Sequence, residues 1–151
     1  ELKDGKRHRG LIEANPDIRK AREHIEKAEH NLKATLYLHD GGYTDWCSST
    51  LFYAVYHCFL AILIKFGYES RNQECTFALI ESLIEDKKIS ISKESLGKVY
   101  SLNSENIEQT IAEIREQYQY LTSLSLKDDI YKELLNLVKE IISKTKEIIE
   151  E

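Results

Sequence analysis

The sequence predicts an all-α domain, an antiparallel up-and-down bundle of about five helices around one buried central helix. Three observations carry that expectation. Apolar residues recur at three- and four-residue spacing through most of the chain, the signature of one buried helix face. A single proline and six glycines leave long stretches free of helix breakers. From Leu51 to Ile64 almost every position is apolar or aromatic, as in a helix enclosed by its neighbours. The chain has 151 residues, 42% of them hydrophobic and 31% charged, which suits one globular domain with a sizeable core.

The elements follow in order. Residues 1–15 read as an N-terminal extension and 16–151 as the bundle domain. Asn15-Pro16-Asp17 is a helix start, with a capping side chain, proline in the first turn and an acid behind it. Ile18, Ala21, Ile25, Ala28, Leu32 and Leu36 form the stripe of the first helix, which Asp40-Gly41-Gly42 stops. A second helix runs from Thr44 to Phe66 and closes at Gly67. It is the hub, with Leu51, Val55, Phe59 and Ile62 expected to be fully buried. Ser70-Arg71-Asn72-Gln73 resembles a capping box that opens a third helix through Phe77, Ile80 and Ile84. A short helix is expected from Lys93 to Leu102. Ser104 is read as the cap of the next, whose stripe is Ile107, Ile111, Ile114, Tyr118 and Leu121. Leu124–Lys127 connects it to a last helix carrying Ile130, Leu134, Leu137, Ile141 and Ile148. No strand pattern competes.

Composition narrows the function. The net charge of −5 lacks the basic excess of most nucleic-acid binders, although Lys3, Lys6, Arg7, Arg9, Arg19, Lys20 and Arg22 make a local basic patch. Cys47 and Cys58 fall on one helix, roughly 16 Å apart along its axis, too far for a bridge. No Cys-x-x-Cys occurs, and the first residues form no apolar signal region, so a cytoplasmic setting is expected. Trp46–Ile64 lacks formal charge but carries Ser48, Ser49, Thr50 and His57, which favours a core helix over a membrane span. No histidine has a glutamate three residues before it, so no di-metal carboxylate site, and no cofactor, is expected. No phosphate loop or nucleophile elbow is present.

One stretch has a familiar pattern. Gly42-Tyr43-Thr44-Asp45-Trp46-Cys47, then Phe52-Tyr53-Ala54-Val55-Tyr56-His57, then Ala61-Ile62-Leu63 and Gly67-Tyr68 closely resemble the HEPN family. Further on, Arg115-Glu116-Gln117-Tyr118-Gln119-Tyr120 is similar to the arginine motif of one prokaryotic branch. The resemblance implies a helical bundle that dimerises, with a cleft between protomers near the arginine motif. Many such proteins are ribonucleases using an arginine followed four to six residues later by a histidine. Others accompany a nucleotidyltransferase, often as toxin–antitoxin pairs, or bind nucleotides.

Here Arg115 is followed by Tyr118 and Tyr120, not by histidine, so no group titrating near neutrality stands ready for proton transfer. An arginine–histidine pair at that spacing occurs at Arg19 and His24, in the first helix, where the resemblance places no site. The expected function is therefore a homodimer beside a nucleotidyltransferase or other partner, holding a nucleotide or RNA phosphate with Arg115, Tyr118 and Tyr120. Tyr53 and His57, on the central helix, are further ligand-binding candidates. A divergent ribonuclease and a plain helical interaction module are the competing expectations.

Overall fold

The computed structural model describes residues 11–100 and 109–151. The basic residues Lys3, Lys6, Arg7 and Arg9, and the expected cap and stripe residues Ser104 and Ile107, lie outside them. Among the described residues the fold is a helical bundle of six α-helices and two very short strands. The helices are α1 (Ile18–Asp40), α2 (Cys47–Lys65), α3 (Gln73–Glu85), α4 (Lys93–Val99), α5 (Ile111–Tyr120) and α6 (Asp128–Glu150). The strands are β1 (Leu11–Glu13) and β2 (Tyr68–Ser70).

Helix α2 is the hub, as its composition requires, and packs against α1, α6, α5 and α3. Leu51, Val55, Phe59 and Ile62 are all fully buried. The enclosure is incomplete along one strip, where Tyr53 is 37% exposed and Tyr56, His57 and Leu60 are half-buried. With the 3-10 turn before it, Thr44–Lys65 is long and apolar enough to cross a membrane by length and composition, but 67% of its most apolar window is buried by the other helices. Toward α3 the packing is aromatic: Phe77 meets Phe59 edge-to-face at 5.6 Å and stacks on Tyr100 at 4.2 Å.

The caps differ in detail from expectation. Asp17, not Asn15, caps α1, accepting from the Lys20 N–H at 3.1 Å. Asn72, not Ser70, caps α3, accepting from Cys75 N–H. Ser70 is instead the last residue of β2, its Oγ 2.5 Å from Thr76 Oγ1. Helix α5 starts at Ile111, and its cap is Thr110 in a reciprocal capping box with Glu113. In each case several polar residues precede the helix, and the backbone conformation set by tertiary entry selects among them.

The strands are a second departure, since no strand was expected. Leu11–Glu13 pairs antiparallel with Tyr68–Ser70, and Ala14 N–H continues the ladder to Gly67 O at 2.8 Å. Three residues are too few for alternation to show in sequence. Gly67 ends α2 at φ +88°, and a β-carbon there would lie 3.0 Å from Ala14 O. Both the left-handed backbone and the close approach require glycine.

Three further contacts tie the ends of the bundle. Lys65 Nζ donates to the carbonyl of Ile148, fastening α2 to the last turn of α6. Arg22 on α1 forms a two-pronged ion pair with Glu150 at 2.7 and 2.9 Å. The α5–α6 connector is pinned where Leu126 N–H donates to Thr44 Oγ1 at 2.9 Å, before α2.

Candidate functional site

Helix α5 buries Ile111, Ala112 and Ile114 against the hub, which leaves Arg115 at the edge of that stripe. Its side chain does not extend into water. The guanidinium carbon lies 4.6 Å from the centre of the buried Phe52 ring and 5.6 Å from that of Tyr53. These two rings meet edge-to-face at 5.1 Å, so together they form an aromatic seat for the cation. Gln119, one turn on, accepts from Arg115 Nη1 at 3.0 Å. Arg115 Nε is buried and meets no hydrogen-bond partner among the described residues. The result is a planar cation, oriented by aromatics and one amide, with donors left over for a carboxylate or phosphate.

Of the sequence candidates, only Arg115 and Tyr53 come together. Tyr118 is half-buried and packs on the core, and Tyr120 is 75% exposed. No hydrogen bond or ring contact joins either to Arg115 among the described residues. Tyr120, five residues on, is turned about 140° around α5 from Arg115, and Tyr118 packs on the core cluster instead of on the arginine.

His57 serves a different place. Its Nδ1 lies 2.9 Å from Nδ1 of His24 on α1. Burial, then the neighbouring His24 and Lys27, push the His57 imidazole down to about 4. Burial, with Lys20 adding to it and Glu23 opposing, also lowers His24. Arg19, the partner of His24 in the sequence spacing, stays exposed on the surface.

Sequence reading missed Phe52 and Gln119 as parts of this site. Gln119 had a local signal, since positions four apart on a helix face each other. Phe52 had none toward Arg115, because the contact joins helices distant in sequence.

Other chemistry is sparse. Among the described residues no group of three or more metal-ligating side chains forms. Burial pushes the Cys47 thiol up to about 11 and Cys58 to about 12, which holds both as unreactive thiols. A concavity of about 220 Å³ between α4 and α6, lined by Lys98, Gln109, Glu133 and Glu140 among others, shares no residue with the arginine seat.

No characterised protein matches the chain. The sequence model of the HEPN domain matches residues 21–149, which spans α1 to α6 and includes both the hub helix and the Arg115 seat. The chain belongs to the HEPN domain family.

Proposed function

We propose that the protein is a homodimer that binds a nucleotide or an RNA phosphate at a cleft between protomers, beside a nucleotidyltransferase or another partner, in the manner of a toxin–antitoxin pair. The observation that carries this reading is the state of Arg115. Its guanidinium is held over the rings of Phe52 and Tyr53, and among the described residues only Gln119 uses one of its donors. An arginine fixed in that way loses little freedom on gripping a phosphate through its fork.

The dimer is supported by the surface beside the seat. Trp46, Tyr120, Leu121 and Leu124 are all large, apolar and exposed, on a turn, a helix end and a connector that pack together. Exposed apolar residues from adjoining elements suit a second protomer. The nucleotidyltransferase partner rests on the family pattern alone.

Binding without cleavage is the expected activity. Arg115 has no histidine beside it, and a tyrosine phenol titrating near 10 is a weak base at neutral pH. The test uses fluorescently labelled single-stranded RNA and a nucleoside triphosphate with a metal-free preparation. Anisotropy should report binding that weakens with salt and is lost in Arg115→Ala. Binding that persists in the variant would place the ligand elsewhere. RNA cleavage that disappears with Arg115 would favour the ribonuclease reading. Sedimentation equilibrium yielding only the 17.6 kDa monomer at high micromolar concentration would remove the shared cleft.

A further inference from the structure

His24 and His57 are separated by 33 residues in sequence, yet their Nδ1 atoms meet at 2.9 Å across the α1–α2 seam. The rings are nearly parallel, 25° apart, with centres 5.2 Å from one another. That separation equals the nitrogen–nitrogen distance plus one ring radius from each side. The two Nδ1 atoms therefore lie on the line joining the ring centres, and each points its in-plane orbital at the other. This is the geometry of a straight N–H···N hydrogen bond. We propose that the pair is a proton-operated latch between α1 and α2, closed while the rings share a bridging proton and released when both rings become cations.

The proton count follows from the tautomers. In the neutral pair one Nδ1 carries the bridging proton and the other accepts it. A first added proton enters at Nε2 of the donor ring and leaves the bridge intact, now assisted by charge. A second must enter at the accepting Nδ1. There it abolishes the bond and sets two positive rings edge to edge.

The surroundings reinforce this. The charged groups acting on the pair are Lys20, Glu23 and Lys27, all on α1, and two of the three are cationic. On α2, the neighbours one turn away are Tyr53, Ala54, Leu60 and Ala61, none charged at neutral pH. On α6, Glu150 is held by Arg22, and Lys146 is held by Glu29. No carboxylate forms an ion pair with either imidazole among the described residues, and the field of Glu23 is set against those of two lysines, so a doubly protonated pair is poorly compensated.

A shared metal ion suits the geometry less well. Zinc bonds nitrogen at about 2.0–2.1 Å and prefers tetrahedral angles, whereas these atoms face each other head-on at hydrogen-bond distance.

The experiment compares the full chain with His57→Asn, His24→Asn and, as a control, His30→Asn. Asparagine places an amide near the Nδ1 position but takes up no proton. The readout is the unfolding constant from urea denaturation at about pH 7.5 and about pH 5, with imidazole titration followed by NMR. In the wild type the rise in the unfolding constant on acidification should exceed that of His57→Asn by about tenfold. His30→Asn should match the wild type. The NMR titration should show two widely separated protonation steps for the pair, which decides the matter even if a variant fails to fold. Two independent steps near 6.5 would overturn the latch. So would micromolar zinc raising the melting temperature of the wild type but of neither pair variant, since the site would then be a metal site.

Discussion

Helix α2 has two unlike sides. Toward α3 it is dry and aromatic, with the fully buried Phe59 set edge-to-face against the fully buried Phe77. On its open strip it carries Tyr53 under the Arg115 cation and His57 against His24. Both sides are built on one helix with the same hydropathy, so composition alone does not distinguish them. Neighbour placement makes the difference: Leu51, Val55, Phe59 and Ile62 are fully covered by the surrounding helices, and the strip through Tyr53, Tyr56, His57 and Leu60 is left partly open. Stability resides on the first side and the groups able to respond to ligands and protons on the second.

The largest expected effect probes the dry side. Phe59→Ala removes a fully buried ring from the hub and should cost about 3–5 kcal/mol in urea denaturation. A loss below about 1 kcal/mol would mean that the packing around α2 collapses into the gap and that this side is not rigid.

Next comes the end of the hub. Gly67→Ala forces a β-carbon into a left-handed residue and to within 3.0 Å of Ala14 O. The change should cost about 1–3 kcal/mol and expose the β1 amides to faster hydrogen exchange. Unchanged exchange at Ala14 would separate the strand pairing from Gly67.

The open strip predicts smaller and conditional effects. His57 titrates near 4 in the folded chain, against an ordinary 6.5. Between those values the unfolded chain binds more protons, so stability is complete above about 6.5 and declines as the pH falls through the window. Because the ring is half-exposed, water screens much of the shift, and the loss should be about 1–1.5 kcal/mol. Arg115→Ala should cost about 0.5–1 kcal/mol, the worth of a partly exposed cation on aromatic rings, while removing phosphate binding. A large stability loss with binding retained would make this arginine a structural strut. Smallest of all, Arg22→Ala cuts an exposed ion pair and should leave the melting temperature unmoved.

Much of the fold is legible in sequence because it rests on local periodicity. The α1 stripe, the Gly41-Gly42 stop, the hub helix and the apolar face of α6 all follow from residue spacing. What was not legible depends on meetings between distant segments. The choice of Asp17 over Asn15 and of Asn72 over Ser70 depends on how the chain enters each helix. The β1–β2 pairing joins residues more than fifty positions apart, and each strand is too short to announce itself. At the site, the arginine was visible from its motif. Its seat on Phe52, and the turn of His57 toward α1, were not, since neither partner lies within reach along the chain.

The fastening of α2 to α6 sets an order on how the protein is made. The hub helix is complete by Lys65, but α6, which covers one of its sides and supplies the Ile148 carbonyl to Lys65, begins only at Asp128. A ribosome adding about 5–20 residues per second takes on the order of ten seconds to bridge that gap. Throughout it, the most apolar segment of the chain is synthesised and lacks its last cover. Nascent chains halted before Asp128 should therefore recruit holding chaperones, and chains in which α6 has emerged in full should shed them. Equal chaperone occupancy at both lengths would show that α1, α3 and α5 shield the hub by themselves. The helix that makes the finished protein stable is the one that most exposes the unfinished protein to aggregation.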